Sequence, residues 1–217
     1  MALERIHADI VAVRVIPNVD PDLAKQFHLE PHHRSLAIFT STVDDVGYTA
    51  LDEATKRADV EVVYARSFYA GSGHASGPLS GEMIGIIAGA SPDEVKSGME
   101  AVLQTAKYDA FFEALNADKT HAIYAHVVSR TGSYLSKEAG ITAGEPLAYL
   151  IAPPLEAVYG LDAAMKAADV KLVKFFGPPS ETNFGGGLLT GTQSACQAAA
   201  DAFREAILDI AENPIRY

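Results

Sequence analysis

The sequence predicts an α+β fold built from two similar halves, and three observations predict it. The first is a repeat. Residues 51–63, LDEATKRADVEVV, return at 161–173 as LDAAMKAADVKLV, with 8 of 13 positions identical across an offset of 110. A duplication of this length implies two similarly folded units. The second is the order of short β-branched runs and amphipathic stretches, which is the same in both halves. The third is size: 217 residues suit two domains of about 100 residues each. The expected division is 1–108 and 109–217, with the connection near Lys107–Lys119.

In the first half, Ile10–Ile16 (IVAVRVI) is β-branched and bounded by Pro17 and Asn18, a strand. Asp20 and Pro21 open a helix to Phe27, as N-cap and first helical residue. Ser35–Thr40 is a strand. Asp45–Ala58 is a helix with small or apolar residues at 47, 50, 51, 54 and 58 on one face. Val60–Tyr64 is a strand, the glycine-rich Ala65–Ser80 a long loop, and Glu82–Ala88 a strand. Ser91-Pro92-Asp93-Glu94 is a capping box that starts a helix to about Thr105.

The second half follows suit. Ile123–Val128 is a strand, Gly132–Ala139 a loop and short helix, and Pro146–Ile151 a strand. Ala157–Ala168 is a helix, Val170–Phe175 a strand, Gly177–Gly187 a loop, Leu188–Gly191 a strand, and Thr192–Glu212 a long helix. Each half is thus a mixed unit of about four strands and two main helices, with the sheet covered on one face. The repeats diverge most in their loops, AGSGHASGPLSG against GPPSETNFGGG, and function is best sought there.

Composition excludes several classes. The formal charge of −11 argues against nucleic acid, which needs a basic face. It fits either plain solubility or a surface that favours cations. A single cysteine, Cys196, permits no intrachain disulfide and fits a reducing compartment. The N-terminal stretch is acidic and broken by Arg14, unlike a signal segment, and no run approaches the length of a membrane span. Nothing shows a catalytic constellation: no nucleophile stands with a base at a known spacing.

The segments DAAMKAADVKLVKF and GGGLLTGTQSACQAAADAF, with their counterparts in the first half, resemble bacterial microcompartment shell proteins with tandem shell domains. Within that family, VEVVYARS, VSRTGSYLS, APPLEA, PPSETNF and LTGTQSAC look most like the ethanolamine-utilisation shell proteins of the L type. The resemblance covers essentially the whole chain. It implies two circularly permuted shell domains, each a mainly antiparallel sheet with helices. It also implies a non-enzymatic homotrimer of pseudo-sixfold symmetry, tiled edge to edge with other shell proteins around enzymes in the bacterial cytoplasm. A central pore that opens and closes, small pores within each subunit, and binding of ethanolamine near them belong to the same picture. No cofactor is required, although cobalamin binding is associated with the family.

Carried onto this sequence, the resemblance places Asp44, Asp45, Glu82 and Phe111 at the small-molecule site. An ammonium has three donors suited to carboxylates, and an aromatic face adds cation–π attraction. The plainer reading of Asp44 and Asp45 is helix capping. Phe68, Tyr69 and His74 in the first loop, and Ser180, Glu181, Thr182, Asn183 and Phe184 in the second, would line the central pore, with Phe184 as a plug. Glycines 71, 73, 77 and 185–187 would let these loops switch or would simply serve turns. The repeated Lys56 and Lys166 would either contact the neighbouring tile or complement a helix C-terminus. No metal site is expected: His32 and His33, read as strand neighbours, would point to opposite faces. Two other classes stay open, a trimeric metabolite sensor and an enzyme with a site between the repeats, as does a shell protein of a different metabolosome.

Overall fold

The structure, a computed structural model, describes residues 4–68, 77–178, 180 and 182–216. The chain divides into two compact units. One runs from His7 to Ala110 and takes in Gly132–Leu135. The other comprises Glu4–Ile6, Phe111–Thr131 and the chain from Ser136 onward.

The first unit holds a four-stranded antiparallel sheet in the order β2(Ile10–Ile16), β3(Ser35–Ser41), β5(Met83–Gly89), β4(Val60–Ser67). Helices α2(Asp44–Arg57) and α3(Pro92–Gln104) enclose a core of Phe39, Leu51, Met83, Ile87, Val95 and Val102. On the smaller cluster formed by Val19, Leu36, Ile86 and Ala88 lie Ala24 of α1(Pro21–Gln26) and the following Phe27 and Leu29. The local signals act as read. Asp20 accepts from the Asp22 N–H at 2.9 Å, and Ser91 and Glu94 form the reciprocal capping box. A π-helical turn, Thr105–Asp109, ends α3.

The second unit holds six antiparallel strands: β1(Glu4–Ile6), β6(Phe112–Ala114), β7(Ala122–Val128), β8(Leu147–Ala152), β10(Gly185–Gly191), β9(Val170–Phe176). Helices α5(Pro154–Ala167) and α6(Gln193–Glu212) pack on it around Leu150, Leu161, Leu189, Phe203 and Ile207. Cys196 is buried in this core, and burial pushes its thiol pKa up, so it acts as a packing residue. Arg204 of α6 forks onto Glu113 with bonds of 2.6 and 2.8 Å, tying the helix to β6.

Three expectations change. Strand β4 continues to Ser67, so the first loop begins later than Ala65. Glycines 185–187 are not loop hinges but the start of β10. A side chain at Gly186 would run into the Leu150 carbonyl, and one at Gly187 would come 2.7 Å from the Lys174 carbonyl. Glycine therefore lets the neighbouring strands close on this edge of β10. His32 and His33 lie before β3 rather than on a strand, and their rings sit 4.1 Å apart. The strands β1 and β6, three residues each, were not legible in the sequence.

Candidate functional site

Asp44 and Glu82 are brought together by the pairing of β3 with β5. The register sets Ser41 opposite Met83, so the residue before β5 lies beside the turn that leads from β3 into α2. Gly81 makes the approach possible. Its φ is +62°, and a Cβ there would collide with the Ser41 carbonyl group. The Glu82 N–H then donates to the Ser41 carbonyl at 2.7 Å, and the Glu82 carbonyl accepts from the Phe68 N–H at 2.8 Å.

Asp44 is the first residue of α2, and the N-cap position is Val43, which offers no side-chain acceptor. Asp44 supplies part of what is missing: its Oδ1 accepts from the Asp45 N–H at 2.9 Å. Asp45 is buried, while Asp44 is half-buried. The Glu82 side chain is exposed, yet the surrounding protein removes enough water to push its carboxyl above the ordinary 4.5, and the negative charge of Asp44 adds to the rise. Two carboxylates that raise one another's cost of ionisation form a place where a cation is welcome. Phe111 belongs to the other unit, where the Arg5 guanidinium lies 4.3 Å from its ring centroid.

Of the expected pore residues, Tyr69, His74 and Glu181 lie outside the described residues. Phe68 lines a concavity of about 460 Å³ together with Thr40, Pro78, Leu79 and Ile84. In the second loop, the Ser180 N–H donates to the Phe184 carbonyl at 3.0 Å, and the Phe184 N–H donates to the Thr182 hydroxyl at 3.2 Å. Asn183 is exposed at the tip. Phe184 is half-buried and meets Phe112 edge-on at 6.1 Å, at the end of an aromatic row that continues through Tyr124 and Tyr149.

The repeated lysines sit in unlike places. Lys56 is held between Glu53 and Asp52, and Asp52 is wholly buried. The Asp52 carboxylate accepts from the backbone N–H groups of Gly132 and Leu135, each at 2.8 Å. Lys166 is exposed and pairs at 2.6 Å with an equally open Asp162. The role of Asp52 was not legible in the sequence. The only signal for it was that Asp-x-x-x-Lys occurs in both copies of the repeat. Among the described residues no group of three or more metal-ligating side chains gathers.

Known proteins agree with this arrangement. A BMC domain model matches residues 35–119. The chain is 58% identical over 217 residues to the bacterial microcompartment shell protein EutL of Clostridium perfringens, covering 100% of both chains. It is 52% identical to EutL of Escherichia coli K12, covering 99% of this chain and 98% of that one. The crystal structure of the ethanolamine utilization protein EutL from Leptotrichia buccalis superposes with a TM-score of 0.96 at 59% identity, covering 100% of both. With a full-length relative at this identity, the chain belongs to the EutL family of bacterial microcompartment shell proteins.

Proposed function

We propose that this chain is a structural tile of a microcompartment shell for ethanolamine breakdown in the bacterial cytoplasm. In this reading three copies form a pseudohexameric trimer, which joins other shell proteins at its edges and carries a gated central pore. The duplicated chain supports the trimer, since three copies of two similar units supply six. Relatives that are themselves shell proteins support a structural rather than a catalytic role. Phe68, Ser180, Thr182, Asn183 and Phe184 would shape the pore. Lys56 and Lys166 would meet the neighbouring tile. No residue is assigned to cobalamin.

The observation that carries the ligand reading is the Asp44–Glu82 pair, on a chain of net charge −11. Ethanolammonium is a primary ammonium whose donors suit two carboxylates. The titration of Glu82 fixes the pH dependence. Its folded pKa is raised, so ionising it costs the free protein stability as pH rises through that pKa. A bound ammonium offsets that cost, and binding strengthens over the same window above 4.5. Calorimetric titration with ethanolamine at pH 7.5 should show saturable binding, and Glu82→Gln should weaken it by about tenfold, roughly 1.4 kcal/mol. Equal affinity in wild type and variant, or no binding at millimolar ligand, would overturn the site.

A further inference from the structure

The duplicated helix presents the same face in both units, but the structure covers it only once. On α2 that face carries Asp45, Thr49 and Asp52, all buried. Its cover is Gly132–Leu135, a segment far away in sequence. Gly132 and Leu135 donate to Asp52, the Ser133 N–H meets the Thr55 hydroxyl at 3.1 Å, and the rings of Tyr134 and Tyr48 lie 6.2 Å apart. The repeat offset of 110 places Leu155, Val158, Tyr159, Asp162 and Met165 on the matching face of α5. There Leu155 is 64% exposed, Val158 52%, Tyr159 53% and Met165 38%. The opposite side of α5, with Ala157, Gly160, Leu161 and Ala164, is already buried against its own unit. Four large apolar side chains in one helical stripe are more than scattered surface hydrophobics.

The cover has a duplicate as well. Gly132–Leu135 joins β7 to α4(Ser133–Ala139), and the equivalent corner, Asp20–Leu23, joins β2 to α1. Each corner follows its strand at the same distance: four residues separate Ile16 from Pro21, and four separate Val128 from Ser133. Leu135 is 2% exposed under its contact, whereas its counterpart Leu23 is 38% exposed. An uncovered face and an unused cover, each the duplicate of a pair that is joined, identify one another.

We propose that the exposed face of α5 is the docking surface for the β2–α1 corner, Asp20–Leu23, of a second copy of this chain. The inference rests on the oligomeric reading above and names the surfaces that build it. The contact is head to tail: every copy offers one α5 face and one α1 corner, so successive copies close into a ring. By equivalence with Ser133–Thr55 and Tyr134–Tyr48, Pro21 sits over Met165 and Asp22 over Val158.

Two variants test this by sedimentation. Val158→Asp sets a carboxylate against Asp22 of the next copy, and Leu23→Asp puts charge into the corner. Both positions are exposed, so thermal unfolding of the separated chains should stay cooperative. Wild type should sediment as three chains and each variant as one. Independently, Asp22→Cys with Val158→Cys should cross-link copies to one another when air-oxidised over a copper–phenanthroline catalyst, because Cys196 is buried and out of reach. A wild type that sediments as one chain would overturn the trimer itself. A wild-type trimer that persists in both aspartate variants and yields no cross-linked chains would leave the trimer standing and overturn this interface.

Discussion

Asp52 with Lys56 and Asp162 with Lys166 are the same two residues at the same spacing in two copies of one helix, and they live in different worlds. Asp52 is wholly buried and gives its carboxylate to two backbone N–H groups. Asp162 stands in solvent with Lys166, whose pKa is raised by the hydrogen bond and charge of that aspartate. The helices do not explain the difference, because both start just after a core strand and end before another. What differs is the partner laid over them. Identical local sequence specifies an identical helix, and the cover decides whether its outer face is core or surface.

The largest test of this contrast is to delete both carboxylates separately. Asp52→Ala strands two backbone donors in a buried place and should cost about 2–4 kcal/mol of unfolding free energy. Asp162→Ala removes only an exposed ion pair and should leave the denaturation midpoint within error of wild type. Equal effects in urea titrations would mean that the two sites are energetically alike despite their geometry. A smaller loss should follow Gly132→Ala. The added Cβ would lie 2.6 Å from the Asp52 carbonyl oxygen and collide with the Thr55 hydroxyl, so the cover must lift from α2. Strain of this kind costs about 1–3 kcal/mol. Gly140→Ala, at a positive φ but in open space, measures the conformational part alone.

The same contrast shows how far the sequence could be read. Strand Ile10–Ile16, the Asp20 cap and the Ser91–Glu94 box are local features, and their residues carry the whole signal. The glycines of β10 misled because an interior strand position that needs glycine looks, in sequence, like a loop. The pairing of Glu4–Ile6 with Phe112–Ala114 could not be seen, because two three-residue strands more than a hundred positions apart leave no periodicity to detect. The pairing of Asp44 with Glu82 follows from the register of β3 on β5, which no local pattern announces. The burial of Asp52 was invisible for the same reason: its partners lie 80 and 83 residues away.

The finest test uses protons, because titration separates burial from hydrogen bonding at Asp52. Burial is the largest influence and lifts the carboxyl above its ordinary 3.8, while the Gly132 and Leu135 N–H groups and Lys56 pull it back only in part. A raised folded pKa means that the native state holds the proton more tightly than the unfolded chain. The associated stability is therefore complete below 3.8 and is lost as pH rises through the folded pKa. Asp52→Asn has no proton to lose there. The stability of wild type relative to Asp52→Asn should fall as pH rises from below 3.8 and then level off. A difference that instead grows with pH would show that the two N–H groups and Lys56 outweigh burial. The cover on α2 would then be held chiefly by an ionised carboxylate, and the open Asp162 would be the better guide to how this helix began.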